Sequence, residues 1–245
     1  MKCYGVIGYP LDHSFSKKYF TDKFKQEGII DCSYETFPLK TINELKDLFV
    51  HHPDLQGLNI TIPHKRSVLS YLTDVTNIPA GLNACNCINI IGENIIGYNT
   101  DVIGFENSLL PLLKTHHIHA LILGNGGAAE AVRFVLQKLN ISYRTVSRKI
   151  HEGSHLTYAD LDEAIIKENK LIINTTPVGT FPNVNECPAI PYQYLTAEHL
   201  LFDLVYNPEK TLYLQKGEEY GASIQNGYEM LVGQAEESWK IWNAS

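Results

Sequence analysis

Three stretches in the first half of the chain carry side chains whose types and spacing could do chemistry. In GYNTDVIGF (97–105), Asp101 stands between a run that reads as a β-hairpin, CINIIGENIIGYN, and one that reads as a helix, DVIGFENSLLPLLK. A carboxylate there could cap the helix by accepting from its exposed first-turn N–H groups, or it could be half of an acid–base pair. PLDHSFS sets hydroxyls at Ser14 and Ser16, two apart and just after an apolar strand; capping the following helix would need only one of them. GLNITIPHK carries Asn59, Thr61 and Lys65 at and just beyond the end of a strand. The two-residue period of a strand puts Asn59 and Thr61 on one face. Lys65, taken alone, has the ordinary fate of a lysine, a solvated surface position.

The second half holds a nucleotide signature. In LILGNGGAAEAV, Gly124, Gly126 and Ala129 form G-x-G-x-x-A directly after an apolar strand and at the opening of a helix, with Gly127 and Ala128 in the same turn. Gly124 permits the tight turn, Gly126 lets a pyrophosphate approach the backbone, and Ala129 keeps helix and strand close. The free N–H groups of the helix start then face the phosphates. The next strand ends in Ser147, Arg148 and Lys149, where an NAD site would place an Asp or Glu for the ribose 2′-hydroxyl. Two cations and a hydroxyl suit a 2′-phosphate instead, because a guanidinium pairs with phosphate and stacks on adenine. The alternative is a solvated basic turn; the pattern predicts NADP rather than NAD.

These residues need elements to position them. KCYGVIG reads as a strand, and FSKKYFTDKFKQEG as a helix with Phe15, Tyr19, Phe20 and Phe24 at helical spacing, stopped by Gly28. CSYETFPL alternates as a strand, INELKDLFVHH is amphipathic, GLNITI is a strand and HKRSVLSYL reads as a helix entered after Pro63. Such α/β alternation predicts a largely parallel sheet. The scheme repeats as HALILG, GAAEAVRFVLQKLN, SYRTVS, TYADLDEAIIKEN (one helix), KLIINTT, LLFDLVY and TLYLQKGEEYG. NGYEMLVGQAEESWKIW closes the chain as an amphipathic helix. The expected boundary between halves lies near residue 103.

Bulk properties narrow the class. The chain has 245 residues, 44% of them hydrophobic and 19% charged, ordinary values for a globular protein with room for one large domain or two modest ones. A net charge of −7 and a pI near 5.8 argue against a nucleic-acid or anionic-membrane surface, and no Lys/Arg block appears. The N-terminal apolar run is broken by Pro10 and Asp12, too early for a signal-peptide core, and nothing approaches a membrane span. Five scattered cysteines (3, 32, 85, 87, 187) predict reduced thiols in a cytoplasm rather than a disulfide framework. No Cys/His spacing predicts a metal site.

The chain resembles the shikimate dehydrogenase family. GYPLDHSFS, GLNITIPHK, NACNCI, GYNTDVIGF, LGNGGAA, VSRK, INTTPVGTFP, DLVYNPEKT and NGYEMLVGQA match that family's motifs in its order and span nearly the whole chain. The resemblance implies a two-domain α/β fold: an N-terminal substrate domain over 1–103, a Rossmann-type NADP domain over 104–226, and a C-terminal helix (227–245) returning to the N-terminal domain. It implies that Ser14 and Ser16 hold the substrate carboxylate, that Thr61 helps bind substrate, and that Asn86 and Asp101 meet the ring hydroxyls. Lys65 matches the catalytic lysine, Gln234 a further substrate contact, and Tyr206 lies near nicotinamide and substrate. Asn174, Thr175, Gly227 and Met230 match residues at the nicotinamide end. The chain departs from the family where Lys17 replaces a common Pro and Phe20 a frequent His. Asn83 and Cys87 replace Gly and Thr around Asn86, and Ser147 and Lys149 replace the Asn and Thr that flank the Arg.

The implied reaction is reversible reduction of 3-dehydroshikimate to shikimate with NADPH, in chorismate and aromatic amino acid biosynthesis. Reducing a ring ketone needs a hydride and a proton-donating or cationic group beside the developing alkoxide. Lys65 can supply the cation and a proton; a carboxylate partner, Asp101, can hold the Lys and accept a hydroxyl proton. This makes Asp101 a catalytic partner that can also cap. Rival readings are a dual-specificity quinate/shikimate dehydrogenase, a methylene-tetrahydrofolate dehydrogenase-like enzyme, and a non-catalytic NADP-binding sensor, which would have no use for the acid–base pair. A small molecule is the expected partner, with no nucleic acid and no membrane, in a monomer or homodimer.

Overall fold

The computed structural model describes residues 1–11, 15–150 and 153–244. The chain divides into two compact units, Met1–Thr100 with Ala235–Ser245, and Asp101–Gln234.

Among the described residues, the first unit is built on a five-stranded sheet of β1 (Lys2–Gly8), β2 (Cys32–Pro38), β3 (Leu55–Ile60), β4 (Cys87–Ile91) and β5 (Asn94–Tyr98), in the order β2-β1-β3-β4-β5. β1 pairs in parallel with β2 and β3. The expectation of a parallel sheet fails beyond that point, because β3–β4 and β4–β5 are antiparallel. The reason is local. HKRSVLSYL does not form the crossover helix expected of it but a 3₁₀ segment, Ser67–Tyr71, and a parallel return needs a true crossover. β4 and β5 then close as the hairpin the sequence indicates, with Gly92 at φ +61° in its turn, the left-handed region that glycine enters without penalty.

The two sides of β1 face different partners, as a strand's alternation requires. Cys3 and Ile7 join Leu45 and Leu48 of helix α2 (Leu45–His51) together with Leu58, Ile60 and Val68. Tyr4 and Val6 join Phe20 and Phe24 of α1 (Phe15–Glu27) and Ala235 and Trp242 of the last helix. Each such side chain fully removed from water contributes about 1.5–3 kcal/mol.

The second unit carries, among the described residues, a six-stranded sheet of β6 (His119–Leu123), β7 (Ser142–Ser147), β8 (Leu156–Thr157), β9 (Leu171–Asn174), β10 (Leu200–Asp203) and β11 (Ser223–Gln225). Its pairings are parallel, and the order β8-β7-β6-β9-β10-β11 is that of a dinucleotide-binding sheet, reversing between β6 and β9. The helices that follow α2 are α3 (Thr100–Leu109), α4 (Gly127–Lys138), α5 (Glu163–Glu168), α6 (Leu212–Glu219) and α7 (Tyr228–Asn243). TYADLDEAIIKEN is not one helix. Thr157 and Asp160 close a capping box around a 3₁₀ turn, and Asp162 then caps α5 by accepting from Ile165 N–H at 2.8 Å. Two consecutive caps restart the chain instead of continuing it. α7 begins one residue past Gly227, and no helix among the described residues is long and apolar enough to cross a membrane.

Candidate active site

In the first unit the turn after β3 is pinned on several sides. Thr61 N–H donates to Ile7 O (2.9 Å), Thr61 O accepts from His64 N–H (2.9 Å), and Lys65 O accepts from Cys85 N–H (2.8 Å). The His64 ring is buried against Leu39 O at 2.7 Å. A Cβ on Gly8 would stand 2.4 Å from the Thr61 methyl, so only glycine lets β1 end beside Thr61. These bonds fix the backbone that presents Thr61 and Lys65, both half-buried. Ser16, half-buried, lies in the first turn of α1; Ser14 lies outside the described residues.

Asn86 is 2% exposed. Its Oδ1 accepts from Thr100 N–H at 2.6 Å and its Nδ2 donates to Thr100 Oγ1 at 2.9 Å. The first N–H of α3 is therefore satisfied by Asn86, fourteen residues upstream. This bears on Asp101, buried in the first turn of α3: that N–H does not depend on its carboxylate, although an acid there still complements the helix dipole.

In the second unit the chain leaves β6 through Gly124 at φ +108°, where a Cβ would meet Thr175 Oγ1 and Thr176 Cγ2 at 2.8 Å. Gly126 is the N-cap of α4 and has no side chain to satisfy the first-turn N–H groups. A Cβ there would meet nothing within 4 Å, so the backbone of this turn is open to an approaching ligand, as a pyrophosphate requires. Arg133, nearly two turns along α4, donates to Asn125 Oδ1 at 2.7 Å and pairs with Glu130 at 3.1 Å, which braces the loop. Arg148 and Lys149 are exposed just past the end of β7. Ser147 is turned away from solvent; its hydroxyl donates to Lys149 O at 2.6 Å and stands 2.8 Å from Ser154 Oγ. It shapes the basic turn, and a neighbouring pair of cations is what the turn presents.

The remaining residues surround the ends of β9 and β10. Thr175 donates from both N–H and Oγ1 to Leu123 O, each at 2.9 Å. Asn174 is fully buried: Nδ2 donates to Asp203 Oδ1 (2.9 Å), and Oδ1 accepts from Thr176 N–H (3.0 Å) and Oγ1 (2.6 Å). Its amide thus shapes the turn from inside. Asp203 was not singled out from the sequence, and it is the hub here, accepting also from Val205 N–H at 3.0 Å and Thr211 Oγ1 at 2.5 Å. Burial pushes its carboxyl up to about 6, and the bonds from Thr211, Val205 and Asn174 offset that only in part. Through Val205 it sets the approach to Tyr206, whose phenol burial also pushes upward. Gly227 N–H donates to Val205 O at 3.1 Å, and a Cβ on Gly227 would stand 2.2 Å from Leu204 O. Met230 and Gln234 are buried along α7, with Gln234 Nε2 donating to Leu231 O at 3.0 Å.

In sequence and in fold the chain is similar to known proteins. Residues 6–88 match the family model described as the shikimate dehydrogenase substrate binding domain. A shikimate dehydrogenase (NADP(+)) of Methanococcus maripaludis is 37% identical, with 98% of this chain and 91% of that protein covered; one of Staphylococcus aureus is 36% identical over the same shares. A crystal structure of a shikimate dehydrogenase in complex with NADP+ superposes with a TM-score of 0.87 at 29% identity, covering 99% of this chain and 90% of that one. The Thermus thermophilus enzyme in complex with NADP(H) and shikimate gives 0.86 at 26%, covering 99% and 94%. At 37% identity over nearly the whole of both chains, the chain belongs to the shikimate dehydrogenase family.

Proposed function

We propose that the chain catalyses the reversible, NADP-dependent reduction of 3-dehydroshikimate to shikimate, a step towards chorismate and the aromatic amino acids. Family membership over nearly the whole chain carries the reading, and the open Gly126 turn with the exposed Arg148–Lys149 pair supports NADP as the cofactor. The relatives crystallised with NADP+ or with NADP(H) and shikimate support the same ligands here.

NADPH, when bound, supplies the hydride; the residues of this chain do the rest. The turn at Gly124, Gly126, Gly127 and Ala128 receives the pyrophosphate on backbone N–H groups, and Arg148 and Lys149 take the 2′-phosphate, with Ser147 bracing their turn. Asn174, Thr175, Gly227 and Met230 bound the nicotinamide end. Ser14 and Ser16 donate to the substrate carboxylate, and Thr61, Asn86, Tyr206 and Gln234 orient the ring. Lys65 stabilises the charge growing on the carbonyl oxygen and donates a proton, while Asp101 orients the lysine and accepts a hydroxyl proton in the reverse direction. The unit that begins at Met1 is the substrate domain and the unit that begins at Asp101 the nucleotide domain. Five free thiols support a reducing compartment, and we place the enzyme in the cytoplasm as a monomer or homodimer.

Following nicotinamide absorbance with shikimate or quinate, each with NADP or NAD, tests the reading. Reduction with shikimate and NADP alone is expected; comparable rates with quinate or NAD make the enzyme dual-specific, and silence in all four refutes it. Lys65→Ala should lose at least about a hundredfold in kcat; a variant that keeps most of its turnover removes Lys65 from the role.

A further inference from the structure

Inside the first unit, four buried side chains form a continuous hydrogen-bonded chain ending on Asn86. Tyr34 OH donates to Asn59 Oδ1 at 2.8 Å, and Asn59 Nδ2 donates to Ser238 Oγ at 2.9 Å. Ser238 Oγ stands 3.2 Å from Thr100 Oγ1, which accepts from Asn86 Nδ2 at 2.9 Å. Tyr34, Asn59, Thr100 and Ser238 are between 0% and 4% exposed. Burial pushes the Tyr34 phenol well above its usual range, so it stays a neutral donor at the far end of the chain.

The direction of this chain is dictated by two backbone groups. Thr100 N–H can only donate, so the atom of Asn86 facing it at 2.6 Å must be Oδ1, and Nδ2 must face Thr100 Oγ1. Asn86 C=O can only accept, so the Asn59 atom 3.5 Å from it is Nδ2, which leaves Oδ1 for the Tyr34 proton. The phenol's proton is thereby committed to Asn59. Among side chains this buried, each link leaves a partner unsatisfied if it is cut, so the chain holds or fails as a unit.

We propose that Tyr34, Asn59, Ser238 and Thr100 are positioning residues for substrate, a buried hydrogen-bonded chain that holds Asn86 in register for the ring hydroxyls of one cyclic hydroxy acid. This rests on the function proposed above. Ser238 lies on α7, so the chain makes the last helix part of the substrate site.

The test uses the full-length enzyme with Tyr34→Phe, which keeps the ring stacked on Phe20 (centroids 4.4 Å apart), with Ser238→Ala, and with both. Thr100→Val cuts the next link and replaces Ser238→Ala if that variant does not fold. Each single variant should raise the KM for shikimate by roughly five- to thirtyfold, the scale of one buried partner left unpaired. The KM for NADP should stay within about twofold, because the nucleotide turn belongs to the other unit. The double variant should be no worse than about the poorer single one, since a chain already cut loses little by a second cut. A KM for shikimate unchanged in the single variants, or effects that multiply in the double, overturns the proposal. So does a loss shared equally by kcat, both KM values and thermal stability, which marks a merely structural role. An inactive wild-type enzyme overturns the functional reading itself; an active wild type with unaffected variants overturns only the chain.

Discussion

Replacing Gly57 with Ala forces a collision whose size the structure specifies. Gly57 lies in β3, and a Cβ there would stand 2.2 Å from Trp242 Nε1, 2.5 Å from Cδ1 and 2.6 Å from Cε2. The indole cannot simply step aside. It stacks on Tyr4 with centroids 4.8 Å apart and planes 23° apart, and its Nε1–H donates to Ile88 O at 2.8 Å. Overpacking of this kind costs about 1–3 kcal/mol, and pulling the indole off Ile88 O removes a further ~1 kcal/mol. The sum, about 3 kcal/mol, corresponds to roughly 6–12 °C in Tm for a chain of this size. Both tryptophans of the chain, Trp239 and Trp242, lie on α7, so intrinsic fluorescence reports directly on how that helix is seated. The variant should unfold earlier, emit at longer wavelength, and bind shikimate more weakly, because Ser238 lies one helical turn before Trp242 on the same face. Trp242→Phe removes the colliding pyrrole atoms, so Gly57→Ala/Trp242→Phe should be less destabilised than the sum of its parts. A Gly57→Ala protein with wild-type Tm and emission, or strict additivity in the double variant, would refute this account of the contact.

Three further outcomes are expected. Arg148→Ala should raise the KM for NADP by roughly five- to thirtyfold, a charge-assisted contact discounted for its exposure, while leaving NAD nearly unaffected; equal losses with both cofactors would sink the 2′-phosphate assignment. Asp203 has a folded value raised to about 6 from 3.8, so its contribution to stability is fully present below about pH 4 and is lost as pH rises through 6. Urea unfolding should therefore find Asp203→Asn gaining about 2 kcal/mol on wild type between pH 4.5 and 7.5, and a constant difference would contradict the raised value. Among the described residues Tyr4 OH is buried without a hydrogen-bond partner, so Tyr4→Phe, which keeps the ring against Trp242, should raise Tm by a few degrees in a thermal melt; a lower Tm would mean that the hydroxyl is satisfied.

What could be read along the chain was what the chain holds within one or two consecutive elements. The turn at Gly124 and Gly126, its strand and its helix are contiguous, so steric need and helix-terminus chemistry are both written within 119–138, and the basic turn at Arg148 follows one strand later. The hairpin of β4 and β5 is equally local. The partition of 157–169 into a 3₁₀ turn and α5 was also local, in Thr157, Asp160 and Asp162, but the apolar period of the segment outweighed those caps in a reading by pattern. The role of Asp203 and the partners of Asn86 were decided only by the fold. Asn59 meets Ser238 across 179 residues and Thr100 meets Ser238 across 138. Nothing in the flanking sequence of either end distinguishes such a serine from any helical serine. A hydrogen bond becomes worth specifying only once both ends are taken out of water, and which groups share an interior is a property of the packed sheet and helices, not of the order of residues.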